Sequence, residues 1–340
     1  MTSRAFRGTA FAAVIFLLVQ LGALALVPDF DARGYQQFEN PQDPTNSLLY
    51  IGLILVMTAL MLAAFKYEFD WVVRAFVVLT SGLLAWYVLG AFLPGLLAIS
   101  LSVGVAGALW FYPEWYVIDA AGVMMGAGAA GLFGISFGLL PAIVLLAVLA
   151  VYDAISVYGT EHMLDLAEGV MDLRIPVVLV VPLTLGFSLL DESPAEEAPL
   201  EEDAGERDGA GDGEPTAAAT ADGGDSADTS GDSVEEEPPD VTERDAFFIG
   251  LGDAVMPTVL VASAAHFSPA PSLGVGVAPA LNLPALTAMA GTFVGLFILL
   301  RMVFAGRAHA GLPLLNGGAI GGYLIGAVAA GVPVLRALGL

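Results

Sequence analysis

The chain has 340 residues and no cysteine, with 57% hydrophobic residues and a mean hydropathy of +0.80. A disulfide framework and thiolate metal sites are excluded, and so is an ordinary soluble globular protein, because long apolar runs carry that hydropathy. The formal charge of −24 is local: residues 191–240 hold 19 of the 35 acids against one base, Arg207.

A membrane span needs roughly 20 apolar residues, about 30 Å at about 1.5 Å each. Nine stretches qualify: 8–27, 47–66, 71–91, 93–111, 119–139, 141–159, 244–265, 282–304 and 312–335. The fold class expected is therefore all-α, a polytopic membrane protein with nine transmembrane helices. Arg4 and Arg7 before an apolar run ending in Ala23-Leu24-Ala25-Leu26-Val27 have a signal-peptide look, but the length favours an uncleaved span. Basic residues set the orientation. With the N-terminus inside, Arg4, Arg7, Lys66, Arg174, Arg207, Arg244, Arg301 and Arg307 fall on the inner side. Arg74 lies at the inner end of the third span, and Arg33 and Arg336 fall outside, as does the C-terminus.

Four segments follow. Residues 1–159 form the first six spans, 160–190 an amphipathic and interfacial segment, 191–243 an acidic disordered cytoplasmic loop, and 244–340 the last three spans. Met163, Leu166, Val170 and Leu173 recur at helical spacing opposite Asp165, Glu168 and Asp172, which suggests a helix lying on the inner surface. Val177–Leu190 is apolar, but it is short and contains Pro182, so it suits an interfacial or re-entrant segment better than a crossing. From Asp191 to Asp240 the chain has almost nothing to bury. An acidic surface and a single lysine, Lys66, suit a salt-rich cytoplasm, where screening reduces self-repulsion. A disordered acidic loop in an ordinary cell fits the same composition.

Two acids lie deep in apolar runs, where a carboxylate is expensive and usually faces a partner or a wet cavity. Asp153 closes the run Ala147–Tyr152, and Asp253 follows Gly250-Leu251-Gly252. Counted at helical rise, each sits on the order of 10 Å below the inner face, so two antiparallel helices can bring them together. Gly250, three residues before Asp253, would share its face and admit a close backbone. Pro257 has no N–H for the carbonyl of Asp253, so the helix should loosen there. Tyr152 could offer a hydroxyl or serve as an interfacial anchor. Paired carboxylates in a dry site share a proton, so that one activates water while the other protonates a scissile carbonyl. On the residues alone, such a pair suits a proton or cation channel or an ion-coupled transporter as well as a protease.

Tyr152-Asp153 and Gly250-Leu251-Gly252-Asp253 in successive spans resemble the YD and GxGD motifs of the presenilin and signal peptide peptidase family of intramembrane aspartyl proteases. The inner-side loop between them is similar to presenilins of an archaeal type. The resemblance implies an aspartic endopeptidase that cuts the transmembrane helices of membrane-protein substrates in the bilayer. It implies Asp153 and Asp253 as the catalytic pair, with no cofactor, metal or nucleic acid. The family's third motif, PAL, occurs literally at Pro279-Ala280-Leu281 and Pro284-Ala285-Leu286, but before the eighth span. Its positional match is Pro313-Leu314-Leu315, where Leu314 departs from the usual alanine. Its proline would leave backbone groups free to bind an extended substrate.

Other signals point to packing. Gly134-Ile135-Ser136-Phe137-Gly138 matches a serine-hydrolase string but lies within an apolar helix. Gly318, Gly322 and Gly326 form a close-packing face. His162, His266 and His309 lie at span ends or in loops, and no HExxH occurs.

Overall fold

The structure, a computed structural model, describes residues 3–67, 69–159, 177–184, 186–190, 246–305 and 310–340. Among these, nine long helices run through the molecule: α1 Ser3–Ala32, α2 Thr45–Lys66, α3 Asp70–Phe92, α4 Gly95–Phe111, α5 Trp115–Ser136, α6 Leu139–Gly159, α7 Leu251–Phe267, α8 Leu283–Val303 and α9 Gly311–Ala329. A short α10, Val334–Ala337, follows. Seven of the nine are long and apolar enough to cross a membrane, while α4 and α7 have 17 residues each. The chain is thus an all-α polytopic membrane protein.

Two strands were not foreseen. Within the apolar segment Val177–Leu190, β1 spans Val178–Pro182 and pairs antiparallel with β2, Ala246–Gly250, with Val178 opposite Gly250 and Val180 opposite Phe248. The expected seventh span, 244–265, therefore begins as a strand and becomes helical only at Leu251. Val, Ile and Phe around Gly250 fit a pleated ladder at least as well as a helix, and pairing with a segment far away in sequence decides between them. The expected amphipathic helix, the acidic loop 191–243, Arg174, Arg207, Arg244, Arg307, His162 and His309 lie outside the described residues. The ninth span ends early: α9 stops at Ala329, and the chain turns at Gly331, whose φ of +76° suits glycine.

Helix α5 occupies the centre, which explains its glycines. Gly126 lies against Val19 and Leu251, Gly131 against Phe30, and Gly134 against the backbone at Ala262 and Ser263. Helix α1 is equally embedded, with Phe16, Val19, Ala23 and Leu24 buried. Its N-terminal end meets the sheet, since Gly8 abuts Leu183 and Phe247. Beneath the sheet, Leu179, Val181, Phe247 and Ile249 join Ile15, Phe16, Val255, Leu299 and Leu315 in one apolar cluster. Helices α8 and α9 cross at backbone contact. Gly318 meets the carbonyl of Gly291, Gly322 that of Thr287, and Gly295 that of Leu314. That close approach of small residues is how helices associate without a hydrophobic drive between them.

The opposite end is tied by polar contacts. Arg33 bonds Asp29 and the carbonyl of Gly90, His266 Nε2 lies 3.6 Å from Asp31, and the Tyr323 hydroxyl donates to the Ala337 carbonyl at 2.6 Å.

Candidate active site

Asp153 projects from α6 one and a half turns before that helix ends, and it is 7% exposed. Its Oδ2 accepts the N–H of Leu312 at 3.0 Å, with the Gly311 N–H beside it. These donors belong to the first residues of α9, whose N–H groups have no partner within the helix. An anion at that position completes the helix end.

Asp253 approaches the first of these two residues, Gly311. It is the third residue of α7 and half-buried. A Cβ added to Gly311 would lie 3.2 Å from its Oδ2 and 3.4 Å from its Oδ1, so only glycine leaves the carboxyl that space. Both carboxyls therefore converge on Gly311 at the start of α9, and Asp153 also reaches Leu312.

The expected depth of Asp253 used helical rise throughout. Residues 246–250 are instead extended, at about 3.3 Å per residue, so Asp253 sits in the first turn of its helix rather than deep within it. Gly250 caps α7 in an extended conformation instead of lying on its face, and among the described residues outside its immediate chain neighbours only Asp253 comes within 4 Å of where its Cβ would be. Gly252 is exposed with open space around it. Leu251 is buried against Gly126 of α5 and anchors the start of the helix. Pro257 is buried within α7 and withholds the N–H that would reach the Asp253 carbonyl. Tyr152 neighbours Asp153 in sequence but is 41% exposed and makes no hydrogen bond among the described residues.

Pro313-Leu314-Leu315 lies in the first turn of α9, beside the acids. Leu315 is fully buried, and the Leu314 side chain is partly buried against the same apolar cluster, while its carbonyl packs on Gly295 of α8. The literal copies do other work. Leu281 and Pro284 flank Asn282, which caps α8 by accepting the Ala285 N–H and donates to the Ala264 carbonyl.

Three contributors escape motif reading. Gly311 is marked only by standing two residues before Pro313. Asn316, fully buried, donates to the Leu146 carbonyl at 3.0 Å and ties α9 to the helix of Asp153. Asp119 on α5 accepts the Val180 N–H at 2.8 Å and holds β1.

The serine string is structural. Ser136 Oγ donates to Leu132 and accepts from Gln37, while the Gly138 N–H donates to Pro41. Among the described residues no cluster of His, Asp and Glu could hold a metal ion.

The chain matches the family described as signal-peptide peptidase, presenilin aspartyl protease, over residues 13–332. It is similar to two solved structures of a presenilin family intramembrane aspartate protease, in C222 and P2 space groups, each with 30% sequence identity. The first match covers 94% of this chain and 99% of that one with a TM-score of 0.60. The second covers 93% and 96% with a TM-score of 0.57. No curated protein matches. On a match that runs almost end to end and a shared fold, the chain belongs to the signal-peptide peptidase and presenilin family of aspartyl proteases and is an aspartic protease of the intramembrane kind.

Proposed function

We propose that the protein hydrolyses peptide bonds within the transmembrane helices of other membrane proteins, with Asp153 and Asp253 as its catalytic pair. The observation that carries this is the convergence of both carboxyls on the first turn of α9.

The pair holds one proton between its two carboxyls, because two close charges in a dry site cannot both persist. Asp153, which accepts the Leu312 N–H, takes a proton from a water lying between the carboxyls. The water oxygen bonds to the scissile carbonyl carbon while Asp253 gives its proton to the carbonyl oxygen. The tetrahedral diol then collapses: a proton passes to the amide nitrogen, the C–N bond breaks, and the pair again holds one proton. No cofactor enters this balance.

A helical substrate shields its carbonyls, so it must unwind first. Two features favour the unwound form. Residues pointing from β2 away from β1, Phe248 among them, offer backbone groups with no partner among the described residues. An apolar cavity of about 520 Å³ between α2 and α3, reaching Met256 of α7 and Val177 beside β1, gives an apolar segment room to approach.

For a protein we place in the plasma membrane, the distribution of basic residues supports an N-terminus and a 191–243 loop in the cytoplasm and a C-terminus outside. Residues 1–159 and 244–340 then supply one acid each, joined through the loop.

Purified protein in liposomes with a single-span substrate tests the reading. Asp153→Asn and Asp253→Asn should each abolish cleavage while thermal unfolding stays near wild type. Substantial cleavage by either variant, or cation flux without any proteolysis, overturns it.

A further inference from the structure

Non-helical backbone is tolerated at membrane depth only where protein or a wet cavity satisfies it. The two-stranded ladder lies beside the acids, so its edges need partners. The Leu251 N–H donates to the Val177 carbonyl at 2.8 Å, which fixes which residues face across the ladder. By the antiparallel alternation, Leu179 and Val181 bond to β2, and the N–H of Val180 points outward. It points at Asp119, whose Oδ1 accepts it at 2.8 Å, while its Oδ2 is buried without a partner among the described residues. Asp119 is 6% exposed, so this one hydrogen bond is what a buried polar group on the central helix is placed to make.

The same helix end holds the chain just beyond β1. Glu114, the cap of α5, accepts from the Ser188 hydroxyl at 2.6 Å and the Leu189 N–H at 3.3 Å, and the Trp115 indole donates to the Phe187 carbonyl. Strand β2 then runs without a linker through Gly250 into Leu251-Gly252-Asp253. We propose that Asp119 is a positioning residue for the proteolytic reaction: by taking the outward N–H of Val180 it fixes the β1–β2 ladder, and through the ladder the place of Asp253.

This rests on the protease reading, and the test separates the two. Full-length Asp119→Ala and Asp119→Asn are reconstituted, and two quantities are measured: amide hydrogen exchange over residues 178–182 and 246–250, and kcat and KM on a single-span substrate. Alanine removes the acceptor, whereas asparagine keeps the oxygen that Val180 uses. Alanine should speed exchange in both strands about tenfold and lower kcat about tenfold, with KM within about twofold, and asparagine should restore both. The glycine-packed α8–α9 pair should exchange as in wild type. Unchanged exchange in the alanine variant, faster exchange at wild-type kcat, or asparagine as impaired as alanine each overturns the proposal. An inactive wild type sinks the protease reading and the positioning role together, recognisable because the exchange difference persists without activity. If the alanine variant does not accumulate, Val180→Pro removes the donor instead. Its missing N–H lies outside the ladder, so the strand tolerates proline and the same outcomes decide.

Discussion

Gly311→Ala separates the chemistry of the site from its stability, because the two respond with opposite sign. The new Cβ would lie 3.2 Å from Asp253 Oδ2 and 3.4 Å from its Cγ. Comfortable contact between such atoms is about 3.5–4.0 Å, so the carboxyl must retreat by about 0.3–0.5 Å. A misplacement of about 1 Å at a reacting group costs about 100-fold in rate, and on a logarithmic scale this shift costs about four- to tenfold in kcat. Stability moves the other way. Gly311 is not among the glycines with positive φ, so alanine is conformationally compatible there and removes freedom from the unfolded chain. That gain is about 0.4–1 kcal/mol. The assay pairs steady-state cleavage in proteoliposomes with thermal unfolding of the same preparation. Lower kcat with an unchanged or raised Tm is expected, and Gly311→Val should deepen the loss while reporting on the same contact. A Gly311→Ala enzyme with wild-type kcat would show that Asp253 does not lie against α9 when it reacts, and the derivation of the site from that contact would fail.

Gly318→Ala drives a methyl into the carbonyl of Gly291 and should destabilise by about 1–3 kcal/mol, whereas Gly317→Ala, facing open space, should be neutral or stabilising; thermal melts of the two decide. Asn316→Ala removes the tie from α9 to the Leu146 carbonyl and should lower kcat several-fold with a stability loss of about 1–2 kcal/mol, measured by cleavage and melting together. Burial pushes the Glu114 carboxyl up, but the Ser188 hydroxyl and the N–H groups of Trp115, Leu189 and Leu190 outweigh it and hold the group below its ordinary value of 4.5. A depressed value means that the clasp contributes fully above about pH 4.5 and is lost as pH falls through the folded value. Glu114→Gln should therefore flatten the acid limb of a Tm-against-pH curve, and an unchanged limb would remove Glu114 from its cause.

What the sequence made legible follows from what is local in it. Helices announce themselves by apolar length alone, so the nine-helix architecture could be read without any partner in view. The acids announce themselves by the cost of charge in an apolar run, and the YD and GxGD motifs narrowed that cost to one kind of chemistry. Pro313-Leu314-Leu315 could be chosen over two better literal matches because its position, not its spelling, put it beside the acids. The strands could not be read. Val178–Pro182 and Ala246–Gly250 are apolar runs that either secondary structure accepts, and only a partner more than sixty residues away chooses between them. Gly311, Asp119 and Asn316 were hidden for a related reason. Asp119 and Asn316 each act on a backbone group of a distant segment, and backbone groups carry no sequence signature, while Gly311 acts through the side chain it lacks beside Asp253.

Those hidden contacts bear on why the site lies where it does. A transmembrane helix satisfies its own backbone and is inert for that reason, so a protease that opens one must supply unpaired backbone groups in the same place as its acids. Near the acids, such described backbone comes from two interruptions, the outward edge of β2 before α7 and Pro257 within α7, while the N–H groups at the start of α9 are taken by Asp153 itself. Both interruptions are adjacent to Asp253. An uninterrupted helix from 244 onward would have cost less in hydrogen bonds, yet it would have left Asp253 on a smooth cylinder with nothing to receive an unwound chain. On the proposed function, the break in regular structure serves the chemistry. It follows that changes which restore helix continuity ahead of Asp253, such as alanine at both Gly250 and Gly252, should stabilise α7 locally while lowering cleavage.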